Sequence, residues 1–287
     1  MTHESLGSAG SAYVASRHIE RPRPPATADW GRRSAPRRRL PSRGDDDVVA
    51  AHDRCRFRAV TARARRPKLT DIVAALERRY GPPAPPAVTD PWEQIVLENA
   101  SYLVDDERRR TVFERLRERV GLSSEAILAA PRARLVAAIR DGGMKPPMRA
   151  DKLLDAARIA QDVGAPLAEI VRRPFDDARK VLKRFPGIGA PGAEKVALFA
   201  GALPVVALES NGLRALVRVG FGVDRKYYAQ TWREVRAAVD REAPRDIAWC
   251  VAAHQLLRRH GQETCRQSAP LCPACVLSAT CPSAVLA

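Results

Sequence analysis

Four cysteines near the C-terminus restrict this chain more than any other feature of its sequence. Cys265, Cys272, Cys275 and Cys281 follow a C-x6-C-x2-C-x5-C spacing that gathers four thiols into one short loop. Thiols this close suit metal ligation, because a reducing compartment does not keep such a group as disulfides. Zinc more often sits between two short C-x2-C knuckles facing each other across a longer spacer, whereas one short pair flanked by wider arms wraps a cubane. The spacing therefore favours a 4Fe-4S cluster on these four residues, with zinc and free thiols as the alternatives. Two of the six cysteines stand apart. Cys250, in the apolar run Ile247-Ala248-Trp249-Cys250-Val251, reads as a small buried hydrophobe, and Cys55 falls in the N-terminal segment.

The remaining pattern is helical. Leu69, Ile72, Val73 and Leu76 recur at i, i+3, i+4 and i+7 before Gly81-Pro82-Pro83 stops the segment, which predicts an amphipathic helix. Pro91 opens a second helix expected to run through Val104, and Val112, Phe113, Leu116 and Val120 mark a third. Further helices are expected around 123–129, 131–140, 149–163, 166–172, 174–184 and 190–201. No stretch alternates with period two, so the fold class is all-α. A chain of 287 residues has room for one large or two modest domains. No run approaches the roughly 18 apolar residues of a membrane span.

Charge points to a partner. Lys and Arg number 49 against 33 Asp and Glu, a net charge of +16, and a field of that sign attracts polyanions, nucleic acid first among them. The blander account is a solvated basic tail with arginines supplied by GC-rich coding. Residues 1–66, rich in Arg, Pro, Ser and Ala with Arg37-Arg38-Arg39 and Arg63-Ala64-Arg65-Arg66, are expected to form a disordered basic arm, either gripping phosphates or serving no function. Met1 to Gly10 lacks a basic head followed by an apolar stretch, so the expected location is the cytoplasm, associated with the nucleoid in a bacterium.

Between two helical patterns lies Phe185-Pro186-Gly187-Ile188-Gly189. Glycines flanking one apolar residue permit a tight turn and aim amides at a helix N-terminus outward, which suits an anion; Ile188 would plug the gap between the helices. A plain helix-helix turn is the alternative.

Together with a helix through Ala253-His254-Gln255-Leu256-Leu257-Arg258-Arg259-His260-Gly261 that runs into the cysteine loop, these features resemble the endonuclease III and adenine glycosylase branch of the helix-hairpin-helix DNA glycosylases. The resemblance spans about Lys68 to Cys281. It implies a two-lobed helical fold: a six-helix barrel lobe over 88–203, and an iron-sulfur lobe from 67–87 and 204–287, with the arm outside both. It further implies a monomeric repair enzyme that binds duplex DNA containing a damaged or mismatched base. The backbone of Gly187, Ile188 and Gly189 would hold the phosphate 3′ to the lesion, in the family often through a monovalent cation, while the nucleotide turns out into the cleft.

The resemblance also assigns side chains. Breaking an N-glycosidic bond builds positive charge on the sugar, which a carboxylate stabilises. Ala207-Leu208-Glu209-Ser210-Asn211-Gly212-Leu213-Arg214 resembles the family segment carrying the catalytic Asp, and Glu209 stands in its place; a helix N-terminal acid is the structural alternative. Bifunctional members place a nucleophilic Lys two residues after the second glycine, where this chain has Pro191. Lys195 follows one turn later, displaced about 6 Å along the axis, and is expected to contact phosphate. The implied enzyme is therefore a monofunctional glycosylase; the rivals are a catalytically silent binding protein with the same fold and cluster, or a weak glycosylase and lyase using Lys195. The adenine branch's acid falls at Gln94, which cannot donate an acidic proton. Glu98 and Asn99 are expected to read bases or fill the opened stack, with Tyr102 as a stacking face. In the loop Gly142 to Arg149, Met144 is the expected wedge and Lys145 and Arg149 the expected phosphate contacts.

Overall fold

The computed structural model describes residues 66–285; the expected arm, apart from Arg66, and Cys55 lie outside the described residues. Those residues form twelve α-helices and two short 3-10 turns, and their one β-type contact is a bridge between Tyr102 and Gly143. The all-α expectation holds. No helix among the described residues is long and apolar enough to cross a membrane.

The first helix, α1 (Leu69–Tyr80), buries Leu69, Ile72, Val73 and Leu76, the stripe its period predicts. It has no capping side chain of its own, and Glu242 accepts the Leu69 N–H at 2.8 Å instead. The same carboxylate pairs with Arg66 at 2.6 Å, and the Arg66 guanidinium lies 3.9 Å from the Phe221 ring centroid. Arg66, assigned to the arm from sequence, is thus docked on the folded body by an ion pair and a cation–π contact.

Next come α2 (Pro91–Ala100), α3 (Asp106–Arg119), α4 (Ser124–Ala129), α5 (Arg132–Ala138) and α6 (Pro146–Asp162). Asp90, Asp105 and Ser123 cap α2, α3 and α4 by accepting the N–H three residues on, each cap being worth about 1 kcal/mol. Two boundaries differ from the sequence expectation. The second helix ends at Ala100 instead of Val104, because the Tyr102 N–H leaves it to bond the Gly142 carbonyl at 2.7 Å and Leu103 adopts a left-handed φ of 55°. The sixth begins at Pro146, three residues early, because its two prolines occupy the first turn, where a missing N–H is no loss.

The chain continues through α7 (Leu167–Ile170), α8 (Phe175–Leu182), α9 (Ala190–Phe199), α10 (Ser210–Val219), α11 (Tyr228–Asp240) and α12 (Ile247–Glu263). Val96, Phe113, Ile127, Leu135 and Leu153 form one core among α2 to α6. Ile95, Ile170, Leu182, Phe185 and Ile188 form a second that includes α7 to α9. Trp92 packs on both, joining them into one lobe. The other lobe gathers α1, α10, α11 and α12 around Leu76, Leu216, Val235 and Leu257. Two glycines let α10 and α12 cross closely: a Cβ on Gly261 would collide with the Asn211 carbonyl, and one on Gly212 would sit 3.3 Å from Leu257 Cβ.

Candidate active site and nucleic-acid interface

The turn between α8 and α9 is built from behind. Asn99 on α2 donates its Nδ2 to the Pro186 carbonyl and to the Ile95 carbonyl, both at 2.9 Å. Gly187 takes φ +78°, a left-handed conformation that suits glycine. Ile188 is buried, and its N–H bonds the Phe185 carbonyl. Gly187 and Gly189 are exposed, and their N–H groups have no backbone or side-chain acceptor among the described residues. Two donors at the mouth of α9 therefore face outward while the apolar side chain between them faces in. Asn99, expected to read bases, is 3% exposed and braces the turn.

Further along, α9 carries Lys195. Its Nζ lies 2.6 Å from Glu98 Oε2, and Arg109 Nη2 approaches the same oxygen at 3.2 Å. Burial pushes the Glu98 carboxyl up, but the two cations outweigh it and hold its pKa at about 2. Glu98 is thus a fixed anion at neutral pH, and Lys195, expected at a phosphate, is paired with it. Gln94, one turn earlier on α2, is buried and donates to the Thr89 carbonyl at 3.1 Å and the Val196 carbonyl at 3.3 Å. Pro191 occupies the first turn of α9.

Glu209 is the N-cap of α10. Its Oε1 accepts the Gly212 N–H at 2.6 Å and its Oε2 accepts Asn211 Nδ2 at 2.9 Å. Both oxygens are therefore oriented, and the positive end of α10 stabilises the charge. Around it stand groups that feel its field. Tyr228 is half exposed, its phenol pushed up by burial and then by Glu209. His254 is buried behind, with Nδ1 2.6 Å from the Ala207 carbonyl. Burial holds His254 down at about 4; Lys195 adds to that and Glu209 opposes it. Arg258, on α12, forms a bidentate pair with Asp106 at 2.6 and 2.7 Å. Burial works against its charge, yet Asp106, then Glu209 and Glu98, raise its pKa. One arginine is thus within the field of both acidic side chains singled out from sequence.

The loop before α6 is the exposed rim of the first lobe. Met144 is 61% exposed and Lys145 is exposed with φ 51°. The Tyr102–Gly143 bridge sets this loop beside Tyr102 and Leu103, which are 56% and 76% exposed, so three large apolar side chains stand out together. Arg149 does not join them. Expected to meet phosphate, it is 4% exposed and donates to the carbonyls of Ala100, Ile139, Arg140, Gly143 and Met144. A guanidinium committed to five carbonyls ties α2, the end of α5 and the loop together.

At the far end of α12, Cys265, Cys272, Cys275 and Cys281 line one cavity with Arg218, His260 and Leu277. They ring it without converging on a point, and no group of three or more His, Cys, Asp or Glu side chains among the described residues is arranged to hold a single ion. Donors approach the sulfurs: Arg218 Nη1 lies 3.4 Å from Cys265 Sγ, and the Leu277 N–H points at Cys275 Sγ at 3.4 Å. His260 Nε2 is 3.7 Å from the same Sγ. Donors aimed at sulfur are what metal-bound thiolates use to spread their charge, so the donor set fits an iron-sulfur cluster. Arg214 and Arg218, one turn apart on α10, both bond the Cys265 carbonyl, and Arg218 also bonds those of Arg266 and Gln267.

Comparison with solved structures places this arrangement. Endonuclease III in a non-covalent DNA complex superposes with a TM-score of 0.61 at 21% identity, over 75% of this chain and 94% of that one. This is the fold of endonuclease III. A thermostable thymine-DNA glycosylase matches with a TM-score of 0.59 at 19% identity, over 75% of this chain and 95% of the other. A 3-methyladenine DNA glycosylase of H. pylori, bound to 1,N6-ethenoadenine, gives 0.53 at 16%, over 68% and 98%. No protein-family profile and no curated sequence matches the chain.

Within the endonuclease III fold, the sequence pattern passed over several residues that shape the site. Arg214 and Arg218 were visible as an i, i+4 pair, but nothing local says that their partners are loop carbonyls. Leu103 left a trace, an apolar residue stranded beside the acidic Asp105-Asp106. Arg258 and Asp106 are 152 residues apart and carry no joint signal.

Proposed function

We propose that this protein is a DNA glycosylase that hydrolyses the bond between a damaged or mismatched base and its sugar in duplex DNA, acting as a monomer with Glu209 as the carboxylate at the sugar. One observation carries the assignment. Glu209 is held by two hydrogen bonds at the N-terminus of α10, whereas Gln94 is no acid and Glu98 is neutralised by Lys195 and Arg109. A carboxylate fixed before the reaction stabilises the cation that develops on the sugar without reorganising. The fold shared with DNA-bound endonuclease III and the net charge of +16 support duplex DNA as the partner. Gly187 and Gly189 offer phosphate two outward amides, and Met144, Tyr102 and Leu103 offer the stack an apolar wedge.

The same geometry argues against strand cleavage. Pro191 supplies no amine, and the Lys195 side chain is engaged with Glu98 at 2.6 Å and not free to approach a sugar carbon. Cys265, Cys272, Cys275 and Cys281 would hold a 4Fe-4S cluster. The cluster would supply cross-linking of the loop, because hydrolysis of a glycosidic bond transfers no electron.

Incubation with duplexes bearing oxidised, alkylated, deaminated and mismatched bases, followed by alkali, reveals base removal. Glu209→Gln is expected to lower single-turnover excision by about 10²–10³-fold while duplex binding persists, and borohydride is expected to trap no adduct. Full excision by that variant removes Glu209 from the mechanism. The absence of alkali-labile product on every duplex, with binding intact, leaves a DNA-binding protein; that reading draws on the engagement of both Glu209 oxygens in the cap. Iron analysis is expected to return about four atoms per chain, and zinc in its place overturns the cluster.

A further inference from the structure

Away from the cleft, α3 and α5 enclose an open groove of about 720 Å³. Arg115 and Arg119 project from α3, one turn apart and so on one face, and Arg132 and Arg140 come from α5 and its end. Ala133 and Ala137 form part of the lining between them, keeping it shallow. Two carboxylates offset part of this charge: Asp151 holds Arg132 at 2.6 and 2.8 Å, and Asp141 holds Arg115 at 2.5 Å and Arg140 at 3.4 Å. Four guanidinium groups against two carboxylates leave an excess of positive charge. Arg119 has no ion-pair partner among the described residues, and the Arg140 side chain is 76% exposed. None of these arginines belongs to the cleft around Glu209.

The position of the groove indicates what enters it. Asp141 and Pro147 both line it, and they are the two feet of the loop that carries Met144 and Lys145. The groove therefore adjoins the base of that loop. We infer that the arginine groove between α3 and α5 binds the phosphate backbone of the duplex flanking the excision site, extending the footprint beyond the cleft. Planar forks on one face and small side chains beneath suit a phosphodiester chain, which approaches closely and accepts bidentate contacts. The inference rests on the assignment of duplex DNA as the partner.

The test uses the full chain and three duplexes with the same central abasic-site analogue: one with long flanks, and two cut back to a few base pairs on one side or the other. The Arg119→Glu, Arg140→Glu pair is expected to weaken binding to the long duplex about tenfold or more near 0.1 M salt and to flatten the log K against log [salt] slope by about 2, roughly 0.9 per lost phosphate contact. On one of the shortened duplexes, wild type and variant should then bind alike. Equal affinities and slopes on the long duplex overturn the inference, as does an equal loss on both shortened duplexes. Should the double-Glu variant melt early, Arg119→Gln with Arg140→Gln carries the same comparison of slopes. If the wild type binds no duplex of any length, the glycosylase assignment itself fails; a wild type that binds while the variant matches it removes only the groove.

Discussion

Between α8 and α9 the chain turns through Phe185 to Gly189, and two of those residues, Phe185 and Ile188, are buried; from Thr264 to Val285 the chain buries Leu277 alone. The turn is held as a protein core is held, by apolar side chains and by Asn99 from behind. The cysteine loop is held by Arg214 and Arg218 on its carbonyls, and its four cysteines line one cavity. A segment with so little apolar surface removed from water cannot offset the entropy of its own ordering, about 1–2 kcal/mol per residue. The turn should therefore share the stability of the whole lobe, while the loop, under the proposed cluster, would have a local stability set by that cross-link.

The largest test of this contrast is removal of a thiol. Cys275→Ser, or chelation of iron, is expected to abolish hydrogen-exchange protection across the cysteine loop while α2 to α9 keep theirs; protection that survives in the loop breaks the contrast. Second in size, Ile188→Ala should cost about 2–5 kcal/mol of global stability in denaturant, with no separate loosening of the loop. Smaller still, Gly187→Ala places a side chain at φ +78° and 3.4 Å from Asn99 Oδ1, and should cost about 1–2 kcal/mol. A neutral result would mean that the turn relaxes and is not pinned by Asn99.

The last test concerns pH dependence. His254 has a folded pKa of about 4, below its ordinary 6.5, so the unfolded chain takes up a proton that the folded one refuses. Stability of the lobe around α12 should decline as pH falls from 6.5 through 4. Glu98 is depressed from 4.5 to about 2; its contribution is complete above 4.5 and is lost only as pH falls through 2. Acid should therefore loosen α10 to α12 before the α2–α9 contact, as exchange measured at stepped pH would register. His254→Gln should flatten the decline above pH 4, and an unchanged slope would assign it to another group.

Much of this was legible in the sequence where periodicity or spacing is local. The stripe of Leu69, Ile72, Val73 and Leu76 is buried as its period predicts, and Cys250 is fully buried in its apolar run. What escaped was polar and long-range. Arg149 looks like any arginine beside a loop, and only the folded chain brings five carbonyls around it. Asn99 sits on a helix at an outward-reading position, yet its partner lies 87 residues on. Glu209 carried two readings, and the geometry contains the cap explicitly; a cap and a reacting carboxylate place the same demand on orientation.

One helix connects Glu209 to the cysteine loop. The ten residues of α10 begin at the Glu209 cap and end beside Arg218, whose guanidinium grips the cysteine loop, a rod about 15 Å long at 1.5 Å per residue. A rod that short moves as one piece, so a shift of the far anchor would carry the Glu209 carboxylate with it; under the proposed function, damage to the cysteine loop would then be read out as lost excision at the other end.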